Sequence, residues 1–392
     1  MSDTQKKRAG PLYALFYGGQ FVLLGIQLPF FGGWLALKGF NASEIGLVTG
    51  AALIARLMFG PLVAFWADHQ SDERRALQLV TFFFALGAAG LLFAPGKILI
   101  GAAASLVIFT FGLLVPLTDT AVLRADRNGW LHYGQTRAAG SFFFLLTNVL
   151  GGALLAAAGV AAAAPAMAAA ASFAFAMSFL LPKGAGDRGG ARPVSWREAP
   201  KLVKNPAFLF MLISAGLTQG AHAVYYAFSF LRWEQLGYST VTIGCLWAIA
   251  VVAEILILTR ARGLVRRLGP VNLLAIAGAA ALARWIVIAF EPPLAILFLV
   301  QTLHAATFAF AYLGAIEFLD RAAPLRLVNT GMTLMSTTGV GAVTGLATVA
   351  AGFVWNAYGP GPAYLMMAGM GAAAIAAAYL MKRTWDGGKL FE

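Results

Sequence analysis

Apolar residues occur along this chain in long unbroken runs that are separated by short polar segments. Each run is about 18 to 25 residues long, which lets a helix cross the roughly 30 Å hydrocarbon core of a bilayer. The runs lack the alternation of barrel strands, and only helices and closed barrels satisfy the backbone in lipid. We therefore predict an all-α polytopic membrane protein with about twelve spans, near 11–37, 43–66, 77–94, 98–119, 136–158, 160–181, 206–231, 240–261, 271–290, 293–316, 328–354 and 361–381.

Composition and charge agree with a membrane protein. The chain is 60% hydrophobic and only 11% charged, whereas about a quarter of the residues in soluble domains are charged. The net charge of +12 could suggest nucleic acid, but most of the 28 Lys and Arg residues fall in alternate polar segments. That pattern predicts a multi-pass membrane protein with both termini cytoplasmic and no nucleic-acid partner. The single Cys245 lies in an apolar run, so we expect no metal, no cofactor and no disulfide framework.

The spans divide into two halves of about six. The polar stretch 182–205 reads as a cytoplasmic linker between an N-terminal bundle, 1–181, and a C-terminal bundle, 206–392. Matched residues at equal spacings suggest a duplication: Gly39, Ile45, Gly46 and Arg56 in the first half, and Gly237, Ile243, Gly244 and Glu254 in the second. Two such halves around a midplane site are typical of secondary transporters that alternate access by rocking.

Four ionisable side chains lie well inside predicted spans: Arg56, Glu254, Arg284 and His304. A charge at membrane depth is costly, so it usually faces a cavity or a partner and marks function. We interpret Glu254, Arg284 and His304 as a proton-coupling group, because the proton affinity of a carboxyl changes when a guanidinium approaches it. The alternative is that Glu254 and Arg284 form a fixed ion pair that only holds helices together.

Further polar side chains in the spans predict a cavity for a small, partly apolar solute. They are Gln20, Gln27, Asn148, His222, Tyr225, Tyr226 and Gln301, with Arg56 as a cation. His222, Tyr225 and Tyr226 share one helix face, since they are three and four residues apart. Each of these groups alone also fits a hydrogen bond that joins two helices.

The stretch Pro61–Asp68, followed by Arg74 and Arg75, resembles the loop signature between the second and third spans of the major facilitator superfamily. It departs from that signature at Ala64 and His69, and by two extra residues before the basic pair. The resemblance implies the major facilitator fold, with two pseudo-symmetric six-helix bundles. It also implies that Asp68, Arg74 and Arg75 form a gating loop that latches one state.

Within the superfamily, the chain is similar to the 3-phenylpropionate permease group, which is related to lactose permease. The residues that carry this likeness are Leu28-Pro29-Phe30, Tyr133-Gly134 with Arg137 and Gly140-Ser141, Ile243-Gly244 through Glu254-Ile255, Arg284-Trp285, and Gln301 to His304. The likeness to lactose permease implies that Asp119 and Arg137 bind solute, and that Glu254, Arg284 and His304 form the network for solute and protons.

Two positions depart from lactose permease. Its separate proton-releasing carboxylate falls here on Thr307, and its nearby lysine falls on Gln301, so sugar-type coupling does not transfer whole. Glu254 must then take more of the task, with Asp119 and Glu317 as further carboxylates. For Asp119, an ordinary role at a helix end competes with solute binding.

These observations predict a secondary carrier rather than an enzyme. We expect a monomeric proton symporter of a bacterial inner membrane whose partners are protons, the lipid bilayer and a small-molecule solute. The resemblance favours an aromatic or amphipathic carboxylate, held by Arg284 or Arg56. A sugar or nucleoside symporter and a drug/proton antiporter are the alternatives. A membrane-embedded transferase is more distant, because it needs clustered carboxylates or a His–acid pair at one membrane face.

Overall fold

The computed structural model describes residues 3–70, 72–183 and 199–391. These residues form helices joined by short turns. The α-helices are α1 (Asp3–Leu37), α2 (Ala42–Asp68), α3 (Glu73–Phe93), α4 (Gly96–Arg127), α5 (Tyr133–Ala158), α6 (Ala163–Leu180), α7 (Ala199–Lys204), α8 (Pro206–Gly220), α9 (Ala223–Gln235), α10 (Thr240–Leu258), α11 (Ala261–Ala289), α12 (Leu294–Gln301), α13 (Ala311–Ala322), α14 (Leu325–Leu334), α15 (Val343–Tyr358) and α16 (Pro360–Thr384). Two π-helical segments, Ala306–Phe310 and Met335–Ala342, interrupt the α-helical pattern of the later spans.

The twelve predicted spans are confirmed. In the described residues, twelve helices or helix runs are long and apolar enough to cross a membrane. The main difference is in α4, which continues to Arg127 beyond the predicted end at 119. Hydropathy does not predict this end of the helix, because the last turns carry polar and basic residues. Such residues can remain helical outside the hydrocarbon core. In α11, Gly269 breaks the helix with φ 71° just before Pro270, which agrees with a predicted span from 271.

The chain divides into two compact units. Unit 1 is Met1–Arg188 together with Ala227–Ala248, and unit 2 is Gly189–Tyr226 together with Ile249–Glu392. Most of the predicted linker, 184–198, lies outside the described residues, and α7 forms at its end.

Unit 1 is built around α1, which packs against α5 and α6, while α4 packs against α2 and α3. The segment Ala227–Ala248 joins this unit. The Thr240 hydroxyl donates a hydrogen bond to the Gly152 carbonyl over 2.7 Å, and the Phe230 ring meets Phe30 edge-on with centroids 6.0 Å apart.

Unit 2 is built around α11, which packs against α13 and α16, and α16 also packs on α8. Its core holds large aromatic side chains, among them the fully buried Trp285 and Phe208. The π-helical segment Ala306–Phe310 lies against α11. This contact places the middle of the tenth span beside the middle of the ninth.

The two halves share one turn in detail. Gly39 lies two residues after the end of α1 with φ 84°, and Gly237 lies two residues after the end of α9 with φ 79°, a backbone region that favours glycine. After each glycine a polar side chain caps the next helix. Asn41 accepts a hydrogen bond from the Glu44 amide, and Ser239 accepts one from the Thr242 amide. Equal backbone geometry at matched positions supports the duplication predicted from the sequence.

Candidate functional site

The central feature of unit 2 is Arg284, a cation on α11 whose side chain is completely buried. Its Nη2 donates to Oε1 of Gln301 over 2.6 Å, and its Nη1 donates to Nδ1 of His304 over 3.1 Å. Nη1 also lies 3.4 Å from the Thr307 hydroxyl oxygen. An amide, an imidazole and a hydroxyl therefore bind the guanidinium, so none of these three groups brings a negative charge to it.

Aromatic rings cover the rest of the guanidinium. Its central carbon lies 4.7 Å from the ring centroid of Tyr225 and 4.4 Å from that of Trp285. Cation–π attraction of this kind is worth about 2 kcal/mol when the pair is desolvated. Tyr364 stacks on the far face of this cluster, with its centroid 6.0 Å from that of Trp285. The arginine is thus held in an aromatic pocket of low polarity.

An irregular stretch of backbone aims the polar ligands at Arg284. α12 ends at Gln301, and the next amides bond three residues back, Thr302 to Leu299 and Leu303 to Val300. A π-helical segment, Ala306–Phe310, follows. Such segments occur often at functional sites, because they change which side chains share a helix face. Here they bring Gln301, His304 and Thr307 to one guanidinium.

The contact with Arg284 decides how His304 carries its proton. Arginine only donates hydrogen bonds, so Nδ1 of His304 must accept and cannot hold a proton while this contact lasts. The imidazole is then neutral and carries its proton on Nε2. That nitrogen lies 3.7 Å from Oε2 of Glu254. The His304 imidazole therefore lies between Arg284, to which it is hydrogen-bonded, and Glu254 on α10, from which its other nitrogen is 3.7 Å away.

A second histidine joins the network through Thr307. His222 is fully buried, its Nδ1 lies 3.1 Å from the Gln219 carbonyl oxygen, and its Nε2 lies 2.9 Å from the Thr307 hydroxyl. A carbonyl only accepts, so Nδ1 carries the proton and the neutral ring accepts from Thr307 at Nε2. The Thr307 hydroxyl can then accept from Arg284, and its single proton can go either to Nε2 of His222 or to the His304 carbonyl oxygen, 3.1 Å away. Tyr226 stacks on His222 with centroids 5.4 Å apart.

Unit 1 holds a separate charged cluster around Asp119. Arg137 Nε lies 3.3 Å from Oδ1 of Asp119, and the Tyr17 hydroxyl donates a hydrogen bond to the same oxygen. The Arg137 guanidinium also lies over the ring of Phe21, 4.7 Å from its centroid. One turn along α1 from Tyr17, the Gln20 amide nitrogen donates to the Thr118 hydroxyl over 3.1 Å. The cluster therefore places a carboxylate, which accepts hydrogen bonds, beside a guanidinium, which donates them.

The remaining predicted residues of unit 1 stay outside this cluster. Gln27 and Asn148 are buried in α1 and α5. Among the described residues, Oε1 of Gln27 and both polar atoms of the Asn148 amide have no hydrogen-bond partner. Arg56 packs separately against Gly112 of α4.

The predicted gating loop is described in part. The Asp68 side chain lies outside the described residues. Arg74 Nε lies 3.6 Å from Oδ2 of Asp72, and Arg74 Nη1 donates to the Leu181 carbonyl over 3.5 Å. These contacts tie the start of α3 to the end of α6 within unit 1. Arg75 is exposed.

Sequence patterns missed three members of these clusters. The sequence marks Thr307 only as a departure from lactose permease, whereas in the structure its hydroxyl lies between Arg284 and His222. Trp285 and Tyr17 contact charged groups in the two units. Hydroxyls and aromatic rings are ordinary in membrane helices, so the usable signal was spacing alone. Tyr17 is one turn before Gln20, and Thr307 is one turn after His304.

Comparison with known proteins identifies the family that has this architecture. Residues 12–366 match the MFS_1 like family. The chain is 30% identical over 364 residues to the probable 3-phenylpropionic acid transporter of Escherichia coli (strain K12), covering 90% of this chain and 93% of that protein. It is 25% identical to the maltose permease of Geobacillus stearothermophilus, covering 90% of each.

The fold has a solved counterpart. The crystal structure of the nucleoside transporter NupG superposes with a TM-score of 0.78 at 18% identity, covering 96% of this chain and 99% of that one. The resemblance to the major facilitator superfamily and to the 3-phenylpropionate permease group is therefore confirmed. The chain belongs to the MFS_1 like family and is a multi-pass membrane transporter of the major facilitator type.

Proposed function

We propose that this transporter is a proton symporter that takes up a small aromatic or amphipathic carboxylate. The observation that carries the proposal is the chain of groups from Glu254 through His304 to Arg284, with 3.7 Å and 3.1 Å between successive polar atoms. It holds a carboxyl that can take a proton, an imidazole that can pass one, and a cation that attracts an anion. The name of the Escherichia coli relative supports an aromatic acid as the solute.

In the proposed cycle, Glu254 takes a proton before solute is carried inward. A protonated carboxyl is neutral, so it costs far less to enclose at membrane depth than its anion. The solute carboxylate then adds one negative charge to a region in which Arg284 supplies one positive charge. Release of the solute and of the proton returns Glu254 to its charged form, and the carrier resets. The proposal also includes two related halves that move against each other and two termini in the cytoplasm, as the placement of the Lys and Arg residues predicts.

Arg284 is enclosed by Tyr225 and Trp285 in this structure, so a solute reaches it only after these rings move. We therefore assign Arg284 first to the electrostatic balance of Glu254. A bidentate contact with the solute carboxylate is its second role in the cycle.

A sugar symporter is the second candidate. The Asp119–Arg137 pair favours it, because a carboxylate and a guanidinium together can bind neighbouring hydroxyl groups. One relative is a maltose permease. The Arg284 network favours the acid instead, because its buried cation gains most from an anionic ligand.

Uptake into proteoliposomes tests the proposal. The purified protein is reconstituted, and accumulation of labelled 3-phenylpropionate, maltose and a nucleoside is followed with and without an imposed inward proton gradient. We expect the gradient to drive accumulation of 3-phenylpropionate above its equilibrium level. Accumulation that ignores the gradient contradicts symport. Gradient-driven export contradicts it in favour of an antiporter, and accumulation of maltose alone identifies the sugar carrier.

A further inference from the structure

Gln219 lies where two interrupted spans meet. The seventh span changes from α8 to α9 between Gly220 and Ala223, and the tenth span contains the π-helical segment Ala306–Phe310. Gln219 is 6% exposed, and its side-chain Nε2 donates a hydrogen bond to the Phe308 carbonyl oxygen over 3.2 Å. A carbonyl only accepts, so the nitrogen of the side-chain amide must face Phe308. The last turn of α8 is therefore bonded to the backbone of the π-helical segment.

The Phe308 carbonyl accepts this bond in addition to one from the backbone. The amide of Ala311, three residues along, also donates to it, which the two lone pairs of the oxygen allow. In a regular α-helix the carbonyl bonds the amide four residues along, so the backbone is irregular at this point. Donors from a neighbouring helix help to satisfy irregular backbone at membrane depth. Gln219 supplies such a donor.

Gln219 also anchors His222. Its carbonyl oxygen lies 3.1 Å from Nδ1 of His222, and Nε2 of that ring lies 2.9 Å from the Thr307 hydroxyl. Thr307 and Phe308 are neighbours in the π-helical segment, so Gln219 and His222 hold two adjacent residues of it. One attachment would let the segment turn, whereas two attachments fix its rotation. A shift by one residue would place Ala306 or Phe308 opposite His222, and neither side chain can form a hydrogen bond with the ring.

We infer that Gln219 is a positioning residue that keeps the π-helical segment in the register that presents Thr307 to Arg284. Nη1 of Arg284 lies 3.4 Å from the Thr307 hydroxyl oxygen and 3.1 Å from Nδ1 of His304. Gln219 acts on this network through the segment rather than by contact with the solute. Loss of its side-chain donor should loosen the segment, so that Thr307 and His304 no longer stay on the guanidinium. The effect on transport rests on the proposed function, whereas the change in packing can be measured without it.

A double-mutant cycle tests the role in transport. Q219M removes the donor but keeps an unbranched side chain of similar length, and T307V removes the hydroxyl but keeps the shape of the side chain. We expect each variant to lower the initial rate of gradient-driven 3-phenylpropionate uptake by about tenfold. The double variant should also lower it by about tenfold rather than a hundredfold, because both changes act through one segment. Counterflow, which needs a folded carrier but no proton coupling, should stay within about twofold of wild type.

S214A is the matched control for Q219M. The Ser214 hydroxyl, like the Gln219 amide, makes a buried hydrogen bond from α8 to a carbonyl of another helix, that of Ala374 over 2.9 Å. We expect S214A to keep uptake within about twofold of wild type, and its effect to add to that of T307V. Thermal unfolding of every variant checks that each is folded. Equal falls of uptake and counterflow in Q219M would assign Gln219 to structure and overturn the inference.

Alkylation of a cysteine at position 307 tests the packing independently of the solute. T307C is made in a C245S background, and its thiol replaces the hydroxyl of a fully buried side chain. We expect Q219M to raise the alkylation rate severalfold and S214A to leave it unchanged. An unchanged rate in Q219M overturns the inference, and so do additive losses of uptake in Q219M and T307V. If the wild-type protein shows no gradient-driven uptake, the proposed function is wrong, and the alkylation rates still decide the role of Gln219.

Discussion

Nδ1 of His304 accepts a hydrogen bond from the Arg284 guanidinium over 3.1 Å, and this contact directs the other ring nitrogen towards Glu254. A proton that arrives at Nδ1 must break the bond to Arg284. Contact with the arginine and double protonation of His304 therefore exclude each other. This relationship makes the imidazole sensitive to any movement of Arg284.

The two nitrogens of His304 can be tested separately. In H304N, the side-chain oxygen can accept from Arg284 near the position of Nδ1, but the group facing Glu254 is lost. We expect solute exchange to persist and gradient-driven accumulation to fall by about tenfold, the equivalent of about 1.4 kcal/mol. Counterflow and uptake in proteoliposomes measure the two quantities. H132N, at an exposed position, is the control. Full accumulation by H304N would show that protons bypass this ring.

Glu254 should be required for coupling but not for movement of the solute. In E254Q the side chain is permanently neutral and resembles the protonated carboxyl, so the transporter should still complete exchange between its two sides. We expect counterflow within about twofold of wild type and no accumulation above equilibrium under a proton gradient. E44Q changes a glutamate that pairs with Lys97 at the surface and should leave both activities unchanged. Loss of both activities in E254Q would assign the residue to structure.

We expect the buried charge of Arg284 to lower the stability of the folded protein. The groups that contact its guanidinium through hydrogen bonds are neutral, and enclosing a charge without full compensation is unfavourable. We expect R284M to unfold at or above the wild-type temperature while transport is abolished. Thermal unfolding in detergent and uptake in vesicles measure the two effects. A fall in unfolding temperature of more than about 5 °C would support a purely structural role.

Cys245 reports on the contact between α10 and α5. A methyl group on the neighbouring Gly244 would lie 2.1 Å from the Asn148 carbonyl oxygen, so G244A must move the two helices apart. We expect the alkylation rate of Cys245, the single cysteine of the chain, to rise severalfold in G244A. G369A is the control, because a methyl group at position 369 meets no atom within 4 Å, and it should leave the alkylation rate unchanged. A rate in G244A equal to that of wild type would show that the helices adjust without separating.

The fold could be predicted from sequence because the membrane sets the length of its elements. Twelve apolar runs predict twelve spans, and this prediction does not depend on where the charged residues lie. The end of α4 could not be predicted in this way, since its last two turns, up to Arg127, carry two arginines and an aspartate but are still helical. Hydropathy reports where a helix meets lipid, and it does not report where the helix ends.

The charged residues of the site could be predicted from the sequence. Arg284, Glu254 and His304 were found because ionisable groups in apolar runs are rare, and the structure brings them together. The irregular backbone that brings them together could not be predicted from the sequence. From Leu294 to Leu313 the tenth span contains neither Gly nor Pro, the residues that usually mark a break. The roles of the individual side chains remain predictions.

The irregular backbone between Gln301 and Phe310 makes the surroundings of Arg284 easy to change. A wide turn can migrate along a helix one residue at a time, and each step presents a different side chain to the same neighbour. Substitutions in this short segment could therefore exchange the groups around Arg284 while α11 stays in place.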